Sequence, residues 1–157
     1  MLHRDPHPPS PPSPHVQTGA PLSALEIQRL RTQTRPAGHV TVQDHAIISG
    51  LNGIHQFVII GEYSFIGGGS RVTQDVPPFT KAVGSPIELY GLNTIGLQRA
   101  GVGAEVVTSL KRAYRIVFNS DLSLGRAIAR AREEVPLLPE VERFLSFVES
   151  SGRGVPA

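Results

Sequence analysis

The chain of 157 residues has no cysteine, which excludes a disulfide framework and any metal site built on thiolates. It has no apolar run near the roughly 18 residues that a membrane-spanning helix needs. Its first residues lack an apolar segment of signal-peptide type. It also lacks a dense basic patch. The formal charge is +2, and the thirteen arginines and two lysines are scattered, whereas a nucleic-acid footprint is a clustered stripe. These absences point to a soluble protein of the reducing cytoplasm with no nucleic-acid partner. Residues 1–21 are short of large aliphatic side chains and include seven prolines. That composition buries too little surface to offset chain entropy, so the segment reads as disordered.

What is present is a period. Val42, Ile48, Ile54, Ile60, Ile66 and Val72 stand six residues apart. A helix repeats near 3.6 residues and a strand at 2. A six-residue aliphatic period instead marks a left-handed parallel β-helix, in which each hexad lays one short strand along one side of a triangular prism. The hexads run VTVQDH, AIISGL, NGIHQF, VIIGEY, SFIGGG and SRVTQD. Their third letter points into the prism, and their first is mostly small, as a tight inner corner requires. Gly50, Gly53, Gly61, Gly67, Gly68 and Gly69 are expected to supply the permissive corner backbone. Three hexads close a coil, so the repeat predicts about two coils over residues 38–76. Pro77 and Pro78 are expected to end the ladder, because proline cannot donate to it.

The remaining boundaries follow composition. Residues 22–37 carry a weak helical pattern, with Ser23 as N-cap and Leu25, Ile27 and Leu30 as apolar positions, and this segment is a candidate cap for the open end of the coils. Residues 77–103 read as an extended, glycine-punctuated connector. Residues 104–150 read as three helices forming an α-helical domain. The first, over 104–118, has Val107, Leu110, Tyr114 and Val117 on one stripe. The second is capped by Ser120 or Asp121 and carries Leu124, Ala127 and Ile128. The third, over 139–149, presents Val141, Phe144, Leu145 and Val148. Glu133, Glu134, Glu140 and Glu142 read as solvated, and residues 151–157 as a frayed tail.

Four motifs sharpen the reading: GHV at Gly38–Val40, IHQF at Ile54–Phe57, QDVPPF at Gln74–Phe79, and GLNTIGLQRAG from Gly91 to Gly101. With the hexads and the three-helix tail, this stretch resembles the C-terminal half of the acyl-carrier-protein–UDP-N-acetylglucosamine O-acyltransferases, which begin lipid A synthesis in Gram-negative bacteria. The resemblance covers about residues 37–153. It implies transfer of a 3-hydroxyacyl chain from acyl carrier protein to the 3-hydroxyl of UDP-N-acetylglucosamine. It also implies a cytoplasmic homotrimer with substrate in the cleft between subunits, and no cofactor beyond the carrier thioester. His39, His55, Gln56 and Asn93 match substrate-contacting positions, Arg99 a basic residue at the diphosphate, and Gly68 the position that limits acyl depth. A glycine at 68 leaves room for a longer chain. A guanidinium suits a diphosphate because its planar fork binds oxygens bidentately.

Two departures qualify this. Transfer to a hydroxyl needs a general base, and the family's histidine falls near Ala20, in the proline-rich segment, so no catalytic residue is assigned. Ala100 replaces a second basic residue found in many relatives. The expectation is therefore a shortened member without turnover of its own. The alternatives are a non-catalytic β-helix module for trimerisation or ligand binding, and a metal-dependent β-helix enzyme. Zinc would want three histidines and an open position. Beside His39 and His55 only His45 offers itself, out of phase, so no metal site is assigned.

Overall fold

The computed structural model describes residues 39–156. The proline-rich segment, the short helix expected within 22–37, and Ala20 lie outside the described residues. Six strands of two residues each follow the hexads: β1 Thr41–Val42, β2 Ile47–Ile48, β3 Gly53–Ile54, β4 Ile59–Ile60, β5 Phe65–Ile66 and β6 Arg71–Val72. The first three pair in parallel with the strand three places on, Thr41 against Ile59, Ile47 against Phe65 and Gly53 against Arg71. That offset is three hexads, so the segment is a parallel β-helix. Ile48, Ile54, Ile60, Ile66 and Val72 fill its interior, with exposures of 0–4%.

The first hexad letters are small for a further reason. Ser64 Oγ donates to the carbonyl of Gly61, and Ser70 Oγ to that of Gly67, both at 2.7 Å. Asn52 Nδ2 donates to the Ser49 carbonyl at 2.6 Å. In each case the side chain reaches back three residues and helps satisfy a corner carbonyl.

The corners themselves correct the glycine expectation. The left-handed φ falls on the sixth letter of the first five hexads: His45 (60°), Leu51 (62°), Phe57 (65°), Tyr63 (54°) and Gly69 (70°). Four of these five carry a side chain, at a cost of about 1 kcal/mol each. The coil beneath enforces the conformation, because the corner N–H groups of Phe57, Tyr63 and Gly69 donate to the carbonyls of His39, Asp44 and Gly50. Gly61 and Gly67 serve a different need. A Cβ on Gly61 would lie 2.3 Å from the Pro78 nitrogen, and one on Gly67 would lie 2.6 Å from Val83 Cγ2.

The ladder also does not stop at the prolines. Val76 bridges in parallel to Ile60, and β7, Thr80–Val83, pairs in parallel with β5, Phe65 opposite Lys81. The donors the ladder needs here are those of Val76 and Phe79, which bond to the carbonyls of Ile59 and Glu62. Pro77 and Pro78 sit between them, where no N–H is required, so proline costs the ladder nothing. The expected extended connector is instead β7, an antiparallel partner β8 (Glu88–Leu92) and a short helix α1 (Thr94–Arg99).

Three longer helices follow: α2 Ala104–Phe118, α3 Leu124–Glu134 and α4 Pro139–Ser150. The expected stripes are buried, all but Ala127 in one core with Phe79 of the β-helix and Leu97 of α1. Leu124 is the exception, at 43% exposed. The α3 N-cap is Ser123, not Ser120 or Asp121; Ser120 Oγ bonds back to the Ile116 carbonyl at 2.6 Å instead. Residues 151–156 are not frayed. Ser151 Oγ donates to Asp75 Oδ2 at 2.7 Å, and the Asp75 N–H donates to the Gly154 carbonyl at 3.1 Å. Among the described residues no helix is long and apolar enough to cross a membrane.

Glu142 is not simply solvated. Arg132 donates to Glu142 at 3.2 Å and to Glu149 at 2.7 Å, tying α3 to α4. The Ser146 hydroxyl and then Arg132 hold Glu142 below the usual carboxylate range, and Arg132 does the same to Glu149. Carboxyls depressed in the folded state stabilise it above their ordinary value of 4.5, and that contribution is lost as pH falls through the lower folded values. Both carboxylates face solvent, so the effect is modest. The melting temperature should hold from roughly pH 7 to 5 and fall below that range. Arg132→Met should make the acid decline shallower; an unchanged slope in thermal melts across pH would refute the assignment.

Candidate functional site

The offset pairing aligns outward side chains as well as inward ones. Ile47, Phe65 and Lys81 occupy successive rungs of β2, β5 and β7 and form one wall of a groove. The same sheet continues through Tyr90 and Leu92 of β8, and Asn93, Thr94, Ile95, Gly96, Arg99 and Ala100 at α1 complete the lining. His45 and Tyr63 meet between them at a corner, their rings stacked at 4.6 Å. The groove encloses about 630 Å³, within the range of small-molecule sites.

Asn93 fixes the far wall. Its Nδ2 donates to the Tyr63 carbonyl at 2.9 Å, and its Oδ1 accepts from the Gly96 N–H at 3.2 Å, capping α1. Its own N–H donates to the Phe79 carbonyl at 2.8 Å. A Cβ on Gly96 would lie 2.3 Å from Asn93 Nδ2, so glycine is what lets the cap close. Arg99 falls in the last turn of α1. The lining holds Lys81, Arg99 and His45 and no carboxylate. Such a groove can take a ligand with an anionic centre and flat or apolar ends.

Of the six residues expected at the site, the structure brings two together here, Asn93 and Arg99. His39, His55 and Gln56 are exposed and sit around the corner of Phe57, whose N–H bonds to the His39 carbonyl at 2.5 Å. Gly68 is exposed at the third corner, where a Cβ would lie 3.3 Å from the Gly50 carbonyl oxygen. Within one chain the six residues thus occupy three separate corners. Lys81, Tyr63 and Tyr90 were not singled out from sequence, and His45 was weighed only as a metal ligand. Among the described residues, no three His, Asp or Glu side chains gather as a metal would need.

Residues 75–156 match the family described as UDP N-acetylglucosamine O-acyltransferase, domain 2. The chain belongs to this family. The acyl-carrier-protein–UDP-N-acetylglucosamine O-acyltransferase of Myxococcus xanthus is 47% identical over 116 residues, which are 74% of this chain and 45% of that protein. The Anaeromyxobacter dehalogenans enzyme of the same name is 45% identical over 76% of this chain and 46% of its own length. The chain therefore spans about half the length of these relatives. Among solved structures, the UDP-N-acetylglucosamine acyltransferase of Bacteroides fragilis superposes with a TM-score of 0.73 at 38% identity, over 75% of this chain and 46% of that one. The Arabidopsis UDP-N-acetylglucosamine acyltransferase gives 0.73 at 35% identity, over 79% and 47%. The family match takes in Lys81, Asn93 and Arg99, and so most of the groove.

Proposed function

We propose that this chain carries the acceptor-binding part of a cytoplasmic acyltransferase of lipid A synthesis. The reaction moves a 3-hydroxyacyl group from the thioester of acyl carrier protein to the 3-hydroxyl of UDP-N-acetylglucosamine. The carrying observation is the groove: Asn93 and Arg99, from one GLNTIGLQRAG motif, flank a space of about 630 Å³ without a carboxylate in its lining. In this reading Arg99 grips the diphosphate. Asn93 holds the wall rigid and presents it to the sugar nucleotide. The hexad coils are left-handed and about two in number, and the helices after residue 103 form a distinct domain packed on their last turn. No cofactor beyond the carrier thioester takes part.

His39, His55, Gln56 and Gly68 lie on other corners, so they serve the same ligand only if a second copy supplies them. Leu51, 84% exposed, and Phe57, 60% exposed, project from those two corners. Exposed apolar residues at corners support a threefold assembly in which one copy's His39, His55 and Gln56 face the next copy's Asn93 and Arg99. Sedimentation equilibrium should give a trimer, and a monomer at micromolar concentration would defeat this part of the reading.

Thioester attack by a sugar hydroxyl needs a base to take the hydroxyl proton, and no residue of this chain is assigned that role. Incubated with 3-hydroxyacyl carrier protein and labelled UDP-N-acetylglucosamine, the chain should bind the nucleotide sugar and release no acylated product. Product formation that survives Arg99→Met would contradict the groove as acceptor site. Product lost with Arg99→Met would place a working base among the residues present.

A further inference from the structure

Lys81 stands out in the groove. It is one of two lysines in the chain, and it crowns the outward ladder of Ile47 and Phe65. Every ion pair among the described residues uses Arg130, Arg132 or Arg143, so Lys81 and Arg99 both face the groove without a carboxylate partner. Glu88, at the start of β8, takes the Tyr90 hydroxyl at 3.4 Å.

The backbone opposite Lys81 is built irregularly. Thr80 pairs with Leu92 but Ala82 pairs with Leu89, so β8 carries one extra residue across from Lys81. Gly91 absorbs it at φ 88°, and its N–H is held by Tyr114 Oη at 3.2 Å. Bulges of this kind re-aim side chains beside functional sites. Here Tyr90, Leu92 and Lys81 all line the groove. Ala100, next to Arg99, brings no charge, so the second fixed cation of the groove comes from the β-helix wall and not from α1.

We propose that Lys81 is the second phosphate-binding cation of this site, acting with Arg99 on the diphosphate of a nucleoside-diphosphate sugar. This rests on the acceptor-site reading above. A diphosphate presents more than one negative charge, and a single guanidinium leaves part of it unpaired. Lysine on a flexible stem serves as a point charge where a bidentate fork is not needed.

The test is calorimetric titration of the full chain and its Lys81→Gln and Lys81→Arg variants with UDP-N-acetylglucosamine and, separately, inorganic diphosphate. Lys81 is exposed on its strand, so both variants should fold, and circular dichroism checks this. Lys81→Gln should weaken UDP-N-acetylglucosamine by about tenfold and flatten the salt dependence of binding, with Lys81→Arg within about threefold of the parent. If the nucleotide sugar binds and Lys81→Gln changes its affinity less than twofold, the lysine assignment is overturned and the acceptor-site reading stands. If diphosphate binds in a Lys81-dependent way but the nucleotide sugar does not, the acceptor-site reading falls and the cation pair stands. Binding of neither ligand overturns both.

Discussion

Gly61→Ala should cost about 3 kcal/mol or more, since overpacking a rigid site sits at the top of the range for such changes. The added Cβ would lie 2.3 Å from the Pro78 nitrogen, 2.6 Å from its Cα and 2.8 Å from the Pro77 carbonyl carbon. All three are backbone atoms, and no rotamer change relieves them. The two segments are also clamped together, because the Gly61 N–H bonds to the Val76 carbonyl and the Phe79 N–H to the Glu62 carbonyl, each at 2.8 Å. Gly67→Ala meets instead the Val83 side chain, at 2.6 Å from Cγ2 and 2.9 Å from Cβ; a rotamer change moves only the first, so about 2 kcal/mol is expected. Gly50→Ala meets nothing within 4 Å and should stay within about 0.5 kcal/mol of the parent. Urea midpoints of the three variants order them. A Gly61→Ala midpoint equal to that of Gly50→Ala would refute close approach as the reason for glycine at 61.

That ordering shows where sequence reading succeeds and where it stops. The interior was legible because a prism of 18 residues per coil presents the same hexad letter inward each time, and burial of that letter leaves a period. The helical stripes of α2 and α4 were legible for the same reason. The corners were not. At Phe57, Tyr63 and Gly69 the left-handed φ is held by bonds to the coil below, and His45, Leu51, Phe57 and Tyr63 carry no compositional mark of it. Glycines at 61 and 67 were visible, but their purpose depends on which segment lies above them.

The continuation through Pro77 and Pro78 was hidden by a sound rule applied to the wrong residues. Proline breaks a ladder only where its N–H is needed, and here the donating positions are 76 and 79. The coil offset shortens from 18 to 16 residues between Val72, which pairs with Ile54, and Val76, which bridges to Ile60, just ahead of the prolines, and Phe65 then pairs with Lys81. An eighteen-residue rule would have put residue 83 on that rung, so Lys81 could not be placed in the groove by counting. Asn93 and Arg99 were legible from their motif, but the motif did not show that Asn93 is first a structural residue. It bonds at once to the β-helix corner and to α1. Loss of binding in an Asn93 variant would therefore mix a lost contact with a displaced wall, and Arg99 and Lys81 are the cleaner probes.

Asp75→Ala is the other change expected to cost most, about 2–4 kcal/mol, because removing one partner strands buried donors. Asp75 is 2% exposed. Its Oδ1 accepts from the Ile59 N–H at 2.8 Å and its Oδ2 from Ser151 Oγ at 2.7 Å. One carboxylate thus terminates a rung of the β-helix and anchors the segment after α4. Asp75→Asn keeps an acceptor for Ile59 and an amide that can donate to Ser151 Oγ, so about 1 kcal/mol is expected. Ser151→Ala leaves the bond to Ile59 in place and removes the second contact, along with that of Ser151 Oγ to the Gly154 carbonyl at 3.0 Å, and should also cost about 1 kcal/mol. The anchored segment includes Arg153, whose guanidinium donates to the Thr73 carbonyl at 3.3 Å. Release of the segment should therefore speed tryptic cleavage at Arg153 in Asp75→Ala and Ser151→Ala alike, while only Asp75→Ala exposes the Ile59 amide to hydrogen exchange. Equal urea midpoints for the two variants would show that the bond to Ile59 contributes nothing. The link between β-helix and C-terminal segment would then rest on Ser151 and its backbone partners alone.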